Sequence, residues 1–186
     1  MAIAYLNPAS ATTNSNWDSS TLSELAQGET SNLWTSTANV ADLVVTLSDF
    51  DNTGVSSIDS IQLIIYGDYD ARSGAWLANT GITNASGTSY YNEGLLVPAG
   101  RTPSTITGTV RTTSDGSAAW TDSNLDGMKI RVLSLNCTTL GQLIQFYVKV
   151  TYSTGHGHEV TNVVPTSIAK VKGVATASIA KVIGVD

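Results

Sequence analysis

The run from Leu143 to Tyr152 constrains the fold more than any other part of this chain. Ile144, Phe146, Val148, Val150 and Tyr152 alternate with Gln145, Tyr147, Lys149 and Thr151. Side chains of a strand point alternately to opposite faces, so a period of two with one apolar face specifies a strand laid against a core. Ile61 to Tyr69 is a second such run, and because Ile64 joins Ile61, Leu63 and Ile65 it is apolar on both faces, as a central strand is. Met128 to Leu135 alternates as well, with Lys129 and Arg131 opposite Ile130 and Val132. Leu43 to Leu47, Thr105 to Thr112 and Glu93 to Val97 are further strand candidates.

Turn clusters punctuate these runs: Asp51-Asn-Thr-Gly54, Ser73-Gly74, Asn84-Ala-Ser-Gly87, Ser114-Asp-Gly116 and Asp126-Gly127. Their spacing is that of a sandwich or barrel of antiparallel strands. Helix signals are sparse. Thr21-Leu-Ser-Glu24 has the form of a capping box closed off by Gly28, and Trp120-Thr-Asp-Ser-Asn-Leu125 reads as one helical turn leading into the Met128 strand. The expected fold class is all-β. Trp17 and Trp34 are expected to tack the Ser/Thr/Asn-rich N-terminal region onto the body.

Charge sets limits on partners. Charged residues make up 13% of the 186 residues, well under the roughly 25% of ordinary soluble domains. Residues 1–165 carry 14 acidic and 6 basic side chains, a net of −8, whereas residues 166–186 carry three lysines against Asp186, a net of +2. A phosphate backbone is held by clustered Lys and Arg, so an acidic body is not expected to bind nucleic acid. No stretch approaches the roughly 20 apolar residues of a membrane span. The start Met-Ala-Ile-Ala-Tyr lacks the basic and apolar segments of a secretory leader, so synthesis in the cytoplasm is expected. Cys137 stands alone, excludes an intramolecular disulfide, and reads as a small buried thiol.

Two nearly identical segments close the sequence, Ser167-Ile-Ala-Lys-Val-Lys-Gly-Val174 and Ser178-Ile-Ala-Lys-Val-Ile-Gly-Val185. Each combines β-branched residues with a glycine, which disfavours helix. A short strand of this kind gains order by adding to a sheet edge elsewhere. The expected assembly residues are Ile168, Lys170, Val171 and Val174 in the first unit and Ile179, Lys181, Val182 and Val185 in the second. The domain plan that follows is an N-terminal extension over 1–39, a sandwich over 40–155, a linker over 156–165 and a repeat tail over 166–186.

The chemical candidates are few. Trp76, Tyr90 and Tyr91 lie in or beside polar segments flanked by Asn79, Asn84 and Asn92, which suits stacking on sugar faces with amides bonding hydroxyls; the competing reading is that the rings plug the end of the sandwich. His156, His158 and Glu159 form a His-x-His-Glu cluster whose imidazoles would share one strand face, a candidate metal site completed by symmetry copies. Asp49 and Asp51 open a segment resembling a calcium loop, but Ser60 stands where the bidentate Glu belongs, and Asp and Asn also favour plain turns. There is no Gly-x-Ser-x-Gly elbow and no His-Glu-x-x-His. Neither catalysis nor a cofactor is expected.

Two resemblances extend this reading. The C-terminal units resemble the Ile-Ala-Lys-Val-x-Gly-Val tails of structural proteins of tailed bacteriophages. The order Ser57-Ile-Asp-Ser-Ile-Gln-Leu-Ile-Ile-Tyr66, Trp120-Thr-Asp-Ser-Asn-Leu-Asp-Gly-Met-Lys-Ile-Arg-Val132 and Gln145-Phe-Tyr-Val-Lys-Val-Thr-Tyr152 looks like a phage and bacterial β-sandwich module of jelly-roll type, used for scaffolding and in some cases for sugar binding. Together they imply a jelly-roll-like sandwich with an extended C-terminal tail, acting as a non-enzymatic virion protein (head decoration, head fibre or tail-associated). The implied partners are other capsid or tail proteins and further copies of the chain in a homo-oligomer. The alternative is a carbohydrate-binding or host-recognition module for a cell-surface glycan.

Overall fold

The computed structural model describes residues 1–15, 17–18, 25–28, 34–36, 40–69, 77–84, 87–93, 100–115, 117–135, 141–155, 170–171 and 174–175. In chain order the strands are β1 (Ala2–Leu6), β2 (Pro8–Ser15), β3 (Trp17–Asp18), β4 (Trp34–Ser36), β5 (Val40–Leu47), β6 (Val55–Tyr69), β7 (Leu77–Thr83), β8 (Tyr90–Asn92) and β9 (Gly100–Thr107). A single helical turn, α1 (Asp122–Leu125), precedes β10 (Lys129–Leu135) and β11 (Gly141–Thr154); β12 (Lys170–Val171) and β13 (Val174–Ala175) follow.

Residues 1–155 make one unit and 156–186 a second. In the first, two antiparallel sheets carry the strands in the orders β3-β4-β11-β6-β9 and β2-β5-β10-β7-β8. One edge of β11 is shared, β4 pairing with Gly141–Leu143 and β1 with Val148–Tyr152. The core forms where the inner faces meet. Leu43, Val45, Leu47, Ile82, Ile130 and Val132 of one sheet join Leu6, Ile61, Leu63, Ile65, Phe146, Val148 and Val150 of the other in a single buried cluster. These are the alternate positions that the period of two picks out, and β6 lies between β11 and β9 as its two-faced apolar pattern requires. The unit is an antiparallel β-sandwich.

The polar strands near the start of the chain belong to both sheets: β1 joins one and β2 the other. The chain changes sheets at Asn7, whose N–H donates to Ser48 Oγ at 3.1 Å and whose carbonyl accepts the Ser48 N–H at 2.8 Å. β2 reads Pro-Ala-Ser-Ala-Thr-Thr-Asn-Ser and carries no apolar alternation; as an edge strand it needs none, and Pro8 sits at its first position, where a missing N–H is tolerated. Trp17 is buried in the core cluster, while the side chain of Trp34 is not among those described. The turns at Asp51–Gly54 and Asp126–Gly127 end on glycines at φ 73° and 70°, the left-handed region that a Cβ disfavours. The Trp120 segment forms α1 as expected, with the Thr121 N–H donating to Asn124 Oδ1 at 3.0 Å. Thr21–Glu24, Cys137 and the 94–97 part of the Glu93 candidate lie outside the described residues.

In the second unit β12 and β13 pair antiparallel, Lys170 opposite Ala175 and Val171 opposite Val174. Ile168, Ile179, Lys181, Val182 and Val185, with the linker, lie outside the described residues. No described helix is long and apolar enough to cross a membrane.

Gly81 on β7 is a point of close approach, since a Cβ there would run into the Tyr91 carbonyl of β8. Gly81→Ala should therefore cost about 1–3 kcal/mol through forced backbone shifts. Urea denaturation of the two proteins measures this directly, and an unchanged midpoint would show that β8 is free to move away.

Candidate functional site

Between β9 and α1, residues 108–115 and 117–121 tie the two sheets together. Its backbone belongs to the first sheet: the Ile61 N–H donates to the Arg111 carbonyl at 3.0 Å and the Arg111 N–H donates back at 2.9 Å. The Arg111 side chain reaches residues of the second. Its guanidinium lies 4.0 Å from the centre of the Tyr91 ring, and its Nε and Nη2 donate to Glu93 Oε1 at 3.1 and 2.8 Å. The Glu93 side chain is 1% exposed, and its other oxygen accepts the Thr109 N–H at 2.7 Å. A buried carboxylate is tolerable only with such a set of donors.

Trp120 is seated by the same clasp. Its indole N–H donates to the Arg111 carbonyl at 3.1 Å, and its ring meets that of Tyr91 edge-on with centres 6.5 Å apart. The Tyr91 hydroxyl donates to Asp115 Oδ1 at 2.6 Å. Burial first, then the bond to Asp115 and its charge, pushes the Tyr91 phenol up to about 12 against the pull of Arg111.

Beside Trp120 a cleft of about 340 Å³ opens between the start of β6 and the entry to α1, lined by Phe50, Asn52, Val55, Ser56, Ser57, Ile58, Trp120, Thr121 and Asp122. Its volume is at the lower end of the range for small-molecule sites, ~300–1,000 Å³. Phe50 and Trp120 are 6% and 3% exposed, so their rings form walls rather than free stacking platforms. Phe50 is held from behind by Tyr152, edge-on at 5.6 Å, and its N–H donates to Asp126 Oδ1 at 3.3 Å. Asn52, Ser56, Ser57 and Thr121 are exposed. Asn52 Nδ2 donates to Asp122 Oδ2 at 2.7 Å, joining residues 70 apart in sequence. Asp122 Oδ1 is shut from solvent and has no hydrogen-bond partner among the described residues. The cleft can receive hydroxyl groups against a part-apolar wall.

The residues singled out from sequence are placed differently. Tyr91 packs inward on the core, and Tyr90, its neighbour on β8, points to the opposite face, where it feels Arg131 and Asp42. Burial raises the Tyr90 phenol above its ordinary value. The two tyrosines thus do not form one surface, and Trp76 lies outside the described residues. Asp51 accepts the Thr53 N–H at 3.0 Å in a local turn; Thr53, through its side chain and then its backbone, lowers the Asp51 carboxyl. Asp49 is exposed in the same loop. No group of three or more His, Cys, Asp or Glu suited to a metal occurs among the described residues. His156, His158 and Glu159 lie outside them. No sequence signal marks Asn52, Ser57 or Thr121 as ligand residues, and the one trace of Asp122 is its place in the capped turn after Trp120.

Removing Arg111 leaves a buried carboxylate short of its charged partner. Arg111→Met should cost about 3 kcal/mol in urea denaturation, and Arg111→Lys should recover only part, since an ammonium lacks the planar fork. The raised Tyr91 phenol carries a sign. A folded pKa above the unfolded one contributes stability that is complete below pH ~10 and lost as the pH rises toward ~12. Tyr91→Phe should flatten that alkaline loss, read from denaturation midpoints between those limits; an unaltered slope would assign the loss to other tyrosines.

No protein family matches the chain, and no curated protein matches it. Solved structures with a related arrangement include the enzymatically active domain of tailspike protein 4 of bacteriophage CBA120, at 13% identity and a TM-score of 0.44. The match covers 81% of this chain and 19% of that one, so this chain spans about a fifth of its length. The neighbour is an enzymatically active domain, and the expectation that this chain is not an enzyme is corrected accordingly. The missing short motifs did not suffice for that expectation, because hydrolytic carboxylates need only be close in space.

Proposed function

We propose that this chain is a carbohydrate-binding, host-recognition module of a tailed-phage particle, with the cleft beside Trp120 as its binding site. The observation that carries the reading is the cleft lining: Phe50 and Trp120 as apolar walls, with Asn52, Ser57, Thr121 and Asp122 converging on the same space. Apolar walls with a few directed polar groups are what a small polyhydroxylated ligand requires. A charge-poor body suits it, because hydroxyl recognition relies on hydrogen bonds and shape rather than on a strong field. Placement on a virion, tail-associated, rests on the likeness of the C-terminal repeats to phage structural tails. In this reading Ile168, Lys170, Val171, Val174, Ile179, Lys181, Val182 and Val185 join the module to other virion proteins or to further copies of itself.

Saturation-transfer NMR with oligosaccharides from host cell-surface polysaccharide tests the site. Asn52→Ala with Ser57→Ala removes two polar contacts worth about 1 kcal/mol each, so at a temperature where both proteins stay folded binding should weaken by roughly tenfold or more. Absence of transfer to every oligosaccharide tested would overturn the reading. Light scattering of the full chain and of a 1–165 truncation tests the tail: a defined assembly lost on truncation is expected, and equal masses would remove self-association.

A further inference from the structure

The cleft carries a charge that its walls do not neutralise. Among the described residues Asp122 is the one ionisable side chain in its lining. One of its oxygens receives the neutral Asn52 amide at 2.7 Å, and the other has no donor among the described residues. The surrounding charges share its sign. Asp51 adjoins Asn52 on the loop, Asp126 faces the Phe50 N–H, and Asp59 is held by the hydroxyls of Ser57 and Ser153 at 2.9 and 2.8 Å, groups that bring no positive charge. No basic residue lines the cleft among the described residues, and Arg111 and Arg131 are paired with Glu93 and Asp42, each at 2.8 Å.

We infer that the cleft takes neutral, hydroxyl-rich saccharides and rejects anionic ones such as uronates, sialic acids and sulfated or phosphorylated sugars, with Asp122 as the residue that sets this selectivity. The inference rests on the proposed carbohydrate site and adds its substrate class. A sugar carboxylate entering the cleft loses hydration and meets Asp122 at close range with no cation to offset the repulsion, and such repulsion grows where protein walls exclude water. A sugar hydroxyl carries no charge and meets no such barrier.

The test is a calorimetric titration of the full-length chain with two series of oligosaccharides matched in length, one of neutral hexoses and one of hexuronates. The neutral series should bind at least about tenfold more tightly. Asp122→Asn removes the charge and keeps the shape, and should bring the ratio close to one. Because repulsion of this kind is screened by ions, added salt should also narrow the ratio in the unaltered protein; that readout stands even where the variant fails to fold. Equal or tighter binding of the uronates, or a ratio indifferent to both salt and Asp122→Asn, would overturn the selectivity while leaving the carbohydrate site in place. Binding of neither series would overturn both.

Discussion

The Arg111 clasp is the interaction on which the functional end of this sandwich depends. Two sheets that meet only through apolar side chains are free to slide and splay at their open edge, because burial has no direction. Arg111 removes that freedom by belonging to both, bonded through its backbone to Ile61 at 2.9 and 3.0 Å and through its side chain to Glu93 at 2.8 Å and the Tyr91 ring at 4.0 Å. The pair also carries a penalty. A carboxylate with 1% exposure is tolerable only while its donors stay, so the geometry is close to all-or-none.

The cleft inherits its shape from that clasp. Trp120 is held by its indole N–H on the Arg111 carbonyl and by the edge of Tyr91, and it leads directly into the capped turn that carries Asp122. On the facing wall, Tyr152 and Asp126 fix Phe50. Aromatic rings that serve as walls in this way contribute to stability and to the site at once. This separates them from exposed platforms, which can be removed at little structural cost.

Legibility in the sequence follows burial. The strands β5, β6, β10 and β11 announce themselves because an apolar face against the core forces a period of two. β2, rich in Ser, Thr and Asn, and β7, Leu-Ala-Asn-Thr-Gly-Ile-Thr, carry little of that signal, since an edge strand or one with buried hydroxyls is specified by its neighbours' hydrogen bonds. Thr80 and Thr83 are buried on β7, and Thr83 accepts the Lys129 N–H at 3.0 Å. Composition would have placed both at the surface. The aromatic residues stand out in the sequence, but alternation along one strand sends Tyr90 and Tyr91 to opposite faces, and of the two it is Tyr91 that meets Trp120.

By itself the sequence determined an all-β body of antiparallel strands, its central strands, the glycine turns at 54 and 127, and a distinct repeated C-terminal segment. Each of these is local, written in periodicity, turn chemistry or direct repetition within a few residues. The tertiary structure alone decided that residues 2–15 supply a strand to each sheet, that Arg111 joins Glu93 and Tyr91, and that Asn52 meets Asp122. These pairings join residues far apart in sequence by short-range forces. Their partners are chosen by which strands come to lie side by side, and no spacing along the chain encodes that.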